Sequence, residues 1–493
     1  MEVNKTLETK IKDGLYCMLF SLLLGWIFDK LFFDKSLGIS YFLFIGACIV
    51  FFMWSIRDSL ALSKSFGWFL LIPIALLSLS FAVHTNDIFS FFNFLAIPIL
   101  MIASSILIMN PKLRWDKASF IIKMLRIGIV NVFNNVFKPF TILKASLKLK
   151  KSIQIKEGKK QILIGILVSL PLLIILIALL SSADMVFGYY LTNLTKIFDN
   201  IDIQKFVPHT IIILVIAFYL FGYVWGFKSE EKVINSDINT PAVSWEVVTI
   251  ITVLVVLNIL YLIFTIVQFS YLYGGANVKL PAGFTYAEYA RKGFFELAAV
   301  TSINFIIVLS CLKYIKKDNT RLIKVANLLL TVLVIFTLNM LFSANFKLSL
   351  YEAAFGYTFL RVSVHLFMLL LFILCLFVAA GIWYSKIPIV KSIIVITIIM
   401  YTIINYINID GFIARKNIER YNETGKLDAH YLTSLSFEAV PYMVELKDKS
   451  SINIKKIIDE NLKYRKEILD KQKSWTEFNF SRNRTRKLLN QGN

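Results

Sequence analysis

The chain has 493 residues, of which 57% are hydrophobic and only 17% charged. A soluble domain is about half apolar and about a quarter charged, so a water-soluble globular fold is excluded for most of this chain. The formal net charge of +21 falls in the connections between apolar runs and not on a folded basic face, which marks it as a topology signal and argues against nucleic acid as a partner.

The first apolar run extends from Gly14 to Phe33 with no small-residue cleavage site after it, so it is expected to remain as a membrane helix. Further runs occupy Leu37 to Ser55, Phe66 to Val83 and Ile88 to Met109, then Ile162 to Leu180, Thr210 to Gly226, Val247 to Leu272, Gly293 to Tyr314, Val325 to Ala344, Phe359 to Tyr384 and Ile393 to Ile409. Each is close to the roughly 20 residues that one helical crossing of a bilayer takes. The pattern predicts an all-α, polytopic membrane protein of about eleven transmembrane helices. Four lie in residues 1–110 and seven in a core at 162–409, with a small helical C-terminal domain at 410–493. Cys17, Cys48, Cys311 and Cys375 all fall inside apolar runs without CxxC or ligand spacing, as small fillers do.

The connector at 111–161 carries thirteen Lys or Arg against Asp116 and Glu157, which places it in the cytoplasm by the positive-inside rule. The N-terminus is then cytoplasmic, and the loops at 181–209, 273–292 and 345–358 lie outside. An odd helix count puts the C-terminus outside as well. Between Ser119 and Leu149 the connector mixes apolar residues with Lys123, Arg126, Lys138, Lys144 and Lys148, in a stretch read as too polar to span. Such a basic amphipathic segment is expected to lie in the headgroup plane against anionic lipid; a solvated loop is the alternative.

In the tail, Ile413, Ile418 and Tyr421, then Tyr431, Leu432, Leu435, Val440 and Met443, recur at helical spacing, with Asp428 placed as an N-cap. Ile454, Ile457, Ile458, Leu462, Arg465 and Leu469 continue the pattern. A protein partner could dock there, and Trp475, Phe478 and Phe480 offer a membrane-facing edge.

Two stretches carry candidate chemistry. In the first, Glu288 and Arg291 are three apart, and Glu296 is expected about one turn inside the next span, where a retained carboxylate has a partner or faces a cavity. In the second, Tyr357, Arg361 and His365 follow at i, i+4, i+8 and so share a helical face. Arg361 is expected to meet Glu296 or Glu288, either as a clamp between helices or as an anion site. Asn258, Asn304, Asn339 and Asn405 put one amide in each of several helices, to join them or to line a polar path. There is no HExxH, no phosphate-cradling Gly loop and no nucleophile elbow, and the four histidines lack metal spacing. Hence no cofactor, metal or catalytic residue is expected.

The segments FTYAEYARKGFFELAAVTSINF at 284–305, YEAAFGYTFLRVSVHLFML at 351–369 and NIDGFIARKNIERYNETGKLDAHYLTSLSFEAVP at 408–441, with ADMVFGYYLTNL at 183–194 and the closing WTEFNFSRNRTR, resemble a multipass membrane family, domain of unknown function 4173. The resemblance implies a bacterial cell-membrane protein with a polytopic core and helical tail, and carries no substrate or catalytic residue with it.

The leading expectation is a transporter-like or envelope-maintenance factor whose outer polar cluster handles a lipid or small anionic solute. The alternative is a membrane sensor or scaffold acting through its C-terminal domain, and a lesser one a lipid-linked glycosyltransferase-like enzyme.

Overall fold

Within hydrocarbon a helix satisfies every backbone N–H and C=O inside its own segment, so long apolar runs fold as helices. The computed structural model describes residues 2–57, 64–149, 203–229, 244–272, 293–315, 320–384, 386–472 and 474–491, with scattered positions between 169 and 189. Among the described residues there is no strand; an isolated bridge joins Trp245 and Ile315.

The helices are α1 (Glu2–Phe32), α2 (Ile39–Ser55), α3 (Phe66–Val83), α4 (Asp87–Met109), α5 (Ala118–Leu125), α6 (Asn131–Asn135), α7 (Lys138–Leu149), α8 (Ile203–Ser229), α9 (Val247–Leu272), α10 (Phe294–Tyr314), α11 (Thr320–Phe355), α12 (Phe359–Trp383) and α13 (Ile389–Ile404). The tail adds α14 (Ile409–Thr424), α15 (Ala429–Ser434), α16 (Val440–Lys447), α17 (Ile452–Lys471) and α18 (Phe480–Gln491). Among the described residues eight helices are long and apolar enough to cross a bilayer, or ten if two bent pairs each count as one span. The expectation of about eleven is close to this number. Its run at 162–180 lies outside the described residues.

The chain divides into two compact units, the first made of residues 1–83, 90–238 and 471–480, the second of 84–89, 239–470 and 481–493. In the first, α1 and α8 run antiparallel: Gly25 lies beside Ala217, Gly14 beside Trp225, and Asp29 pairs with His209. The connector is part of this unit. A π-helical turn at Arg126–Val130 joins α5 to α6. Gly128 then lies against Ile102, Val132 against Gly222, and Ile142 against Gly14. All three contacts fall toward the end of the unit where α1 begins and α4 and α8 finish. The opposite side of the connector leaves Ile121, Leu125, Ile129, Phe133 and Phe137 exposed. Residues 118–146, although they contain Lys123, Arg126, Lys138 and Lys144, form one of the two bent pairs that are apolar enough for a span by length and composition.

The second unit holds α9 to α13 and most of the tail. Leu254, Leu330, Leu333, Ala344 and Leu348 are fully or almost fully buried in its bundle, whereas Val248, Val256, Ile263 and Ile266 on α9 are exposed. A helix greasy on both its packed and its open sides is one whose solvent is lipid. The tail differs, with its own core of Ile413, Leu432, Val440, Met443 and Ile458 beneath charged outer faces.

Two boundaries depart from expectation. The span expected at Val325 to Ala344 belongs to a helix of 36 residues, about 54 Å at 1.5 Å per residue, so its ends stand beyond a hydrocarbon core of about 30 Å. It stops where Gly356 takes φ +83, a left-handed position that glycine adopts without strain. The run expected at Ile393 to Ile409 breaks instead: α13 closes at Asn405, and α14 opens with the Asn408 side chain accepting from the Gly411 N–H at 2.8 Å. The two helices meet at a bend of 60°.

Candidate functional site

The C-terminus of α11 leaves carbonyls without helical partners, and two arginines of the second unit answer them. Arg420 on α14 donates to the Ala353 carbonyl at 3.0 Å and the Ala354 carbonyl at 2.5 Å. Arg361 on α12 donates to Phe355 at 3.4 Å and to Gly356, and its guanidinium lies 4.3 Å from the centre of the Tyr351 ring. Cations also suit this end of the helix dipole. Asn417 then clamps the next residue, accepting from the Tyr357 N–H at 2.7 Å and donating to its carbonyl at 2.8 Å.

This arrangement differs from the one expected for Arg361, because among the described residues its donors go to carbonyls. Tyr357 lies ahead of α12, whose N-cap is Thr358, so it does not share a helical face with Arg361 and His365. Glu296 stands in the first turn of α10 and not a turn deeper. Gly293 takes φ +100, and its N–H donates to Glu296 Oε2 at 3.0 Å. Among the described residues Lys347 of α11, which is buried, lies in its field. Glu288 and Arg291 lie outside the described residues.

His365 does find an acid, and it is one that the sequence reading passed over. Its Nε2 lies 2.9 Å from Glu352 Oε2 and its Nδ1 2.6 Å from Asn345 Oδ1. Glu352 is 2% exposed and is the sole acid in the 36 residues of α11. That isolation was the available signal.

Below this pair, polar contacts recur along α11 toward its other end. Gln268 of α9 donates to Ser343 at 2.8 Å. Tyr261 of α9 donates to Asn304 of α10 at 2.6 Å, and Asn304 in turn donates to Thr337 at 3.2 Å. Asn258 donates to the Leu329 carbonyl at 3.0 Å. Gln268, Asn304 and Ser343 are fully buried, and the Asn339 amide nitrogen is buried without a hydrogen-bond partner among the described residues. Asn405 instead donates to Tyr401 at the end of its own helix. From Leu329 to Glu352 the seam rises about 35 Å at 1.5 Å per residue. At its lower end, between the start of α9 and the end of α10, lies a cavity of about 560 Å³ whose lining includes Trp245, Glu246, Thr249, Ser310 and Cys311.

A second polar cluster fixes the tail. Glu438 accepts from the Thr85 N–H and hydroxyl, both at 2.7 Å, and from Ser436, and lies 3.6 Å from His84 Nδ1. Burial would raise its pKa, but hydrogen bonds from His84, Ser436, Thr85 and Ser481 hold the carboxyl down at about 2. Asp410 accepts from Asn86 at 2.9 Å and from the Ser436 N–H at 3.1 Å. Arg465, in the field of both acids, donates to Asn461 at 2.7 Å, to the Thr433 carbonyl at 2.9 Å and to the Leu435 carbonyl. The loop between α3 and α4 is thereby bonded to the tail. In the first unit, Glu477 accepts from the Ser36 N–H and hydroxyl, each at 2.9 Å, and Asn479 donates to the Phe81 carbonyl at 2.9 Å.

Among the described residues no group of three His, Cys, Asp or Glu could hold a metal ion.

Long lipid-facing helices around a buried polar seam define a multipass integral membrane protein. Residues 71–446 match the model of the family described as Domain of unknown function (DUF4153), and the chain belongs to that family. The number inferred from motif order, 4173, is corrected accordingly; both are families of unknown function. No curated protein and no solved structure matches the chain.

Proposed function

We propose that this chain is a transporter-like membrane protein whose path follows the polar seam of α9, α10 and α11. It would run from the cavity near Trp245 to Glu352 and His365. The supporting observation is the seam itself: polar side chains at membrane depth are costly, and here they recur at the levels of Leu329, Thr337 and Ser343 before Glu352. Arg361 and Arg420 already serve carbonyls, so a small polar solute fits this path better than a lipid headgroup or other large anion. The tail side is extracytoplasmic in this reading. Glu438 of the tail bonds to the loop at 84–86, which α4 separates along the chain from the basic connector, and the positive-inside rule puts that connector in the cytoplasm. There its exposed apolar face and lysines suit the anionic leaflet.

Trp475 and Phe480, 67% and 64% exposed, favour a second reading, in which the tail is a docking surface of a sensor or scaffold. The readings separate by complementation. A strain lacking the gene is compared with its parent for lipid and solute content, then given Asn304→Leu with Gln268→Leu or a chain without residues 410–493. Transport requires that the seam variant insert normally and fail to restore the profile. If it restores the profile in full, the path is not where we place it.

A further inference from the structure

Three of the four histidines each meet a buried carboxylate: His84 with Glu438, His209 with Asp29 at 2.5 Å, and His365 with Glu352 at 2.9 Å. The pairs of the second unit are not equivalent. Glu438 receives hydrogen bonds from four neighbouring side chains and is satisfied as an anion. Glu352 has His365 on Oε2, while Oε1 is buried without a hydrogen-bond partner among the described residues. A buried, half-satisfied carboxylate is strongly disfavoured as a bare anion, and a proton relieves it.

The imidazole leads to the same conclusion. Its Nδ1 faces the Asn345 amide oxygen at 2.6 Å, which only accepts, so that nitrogen carries a hydrogen. Its Nε2 then faces a carboxylate oxygen, which also accepts when ionised. Two acceptors 2.9 Å apart are joined by a proton between them.

We propose that Glu352 and His365 form a proton-binding dyad at the tail-side end of the seam, its ligand being the proton itself; its role, though not its chemistry, rests on the transport reading. With one proton between Nε2 and Oε2 the pair is neutral, whether written as imidazolium and carboxylate or as imidazole and carboxylic acid. Loss of that proton leaves neutral imidazole and one negative charge. A proton arriving at Oε1 neutralises the carboxyl and lets the shared proton pass wholly to Nε2, so charge is conserved at each exchange.

Among the described residues, the charged groups on the neighbouring elements include Glu296 of α10, Lys347 of α11 and Arg361 of α12, together with Lys416, Glu419 and Arg420 of α14, while α9 contributes the neutral Gln268.

The test is difference infrared spectroscopy of the full-length protein in nanodiscs, titrated between about pH 4 and 9, which reads protonated carboxyl groups directly. Wild type should show a titrating carboxyl band that Glu352→Gln removes. His365→Gln should keep the band and shift its midpoint, since the shared proton loses one of its two holders. Selective ¹⁵N-histidine spectra of the wild type, with His365 assigned by its loss in His365→Gln, supply the same titration if Glu352→Gln fails to fold. A wild-type titration that neither substitution alters would overturn the dyad. Proton flux into dye-loaded proteoliposomes under a potassium diffusion potential tests the transport reading separately. A titrating dyad without flux would leave the proton site standing and remove the path. Flux without a titrating dyad would do the reverse.

Discussion

At the scale of single residues, Glu438 shows what a fully satisfied buried acid contributes. Its carboxyl is held at about 2 against an ordinary value of 4.5, a difference of about 3 kcal/mol at about 1.4 kcal/mol per pH unit. Because the folded value is the lower one, that stabilisation is whole above about pH 4.5 and is lost as pH falls through about 2. Glu438→Gln should therefore loosen the tail by about 3 kcal/mol at neutral pH, read as faster hydrogen exchange at the Thr85 and Phe437 amides. The variant should also lose most of the acid sensitivity that wild type shows at those amides. Arg361→Gln should release the Phe355 and Gly356 carbonyls and cost about 1–3 kcal/mol, seen as faster exchange in the last turn of α11. A variant that binds solute normally would support the capping role over an anion site. The sequence made Arg361 conspicuous because a charge near a span demands a partner, but spacing alone could not show that the partner would be a row of carbonyls. Glu352 was less conspicuous, lying beside a loop, and only the fold shows that it is buried against His365.

At the scale of elements, the spans were legible where an apolar run is bounded by polar residues on both sides, as at Phe66–Val83 and Val247–Leu272. They were less legible where helix and hydrocarbon do not end together. α11 continues through Lys347 and Glu352 because nothing before Gly356 breaks it, while hydropathy fades two turns earlier. The break at Asn405 to Asn408 was hidden for the opposite reason: Ile407 and Ile409 keep the run apolar across a cap. The connector was read as interfacial, and its packing was not legible in the sequence. Its lysines hid a helix surface that packs on α8 through Gly222, where an added Cβ would stand 2.7 Å from the Val132 carbonyl oxygen. Gly222→Val should part α6 from α8 at a cost of about 1–3 kcal/mol, detected as new protease sensitivity between Ala118 and Leu149. Unchanged sensitivity would mean that the connector is held elsewhere.

At the scale of the whole molecule, charge, crossings and tail contacts bear on one topology. Composition already required lipid around most of the chain, and membership of the DUF4153 family names no solute. What composition could not supply is the side on which the tail lies, since its mixed charge argues both ways. The bonds from Glu438 to Thr85 tie the tail to a loop that α4 separates, along the chain, from the connector. Each native cysteine is buried in a helix, so labelling of introduced thiols is clean. The most direct measurement is therefore an impermeant maleimide applied to intact cells carrying Lys449→Cys in the tail or Lys144→Cys in the connector, both exposed positions. The topology requires Cys at 449 to label from outside and Cys at 144 to label only after the membrane is opened. Labelling of both from outside, or of 144 alone, would contradict it.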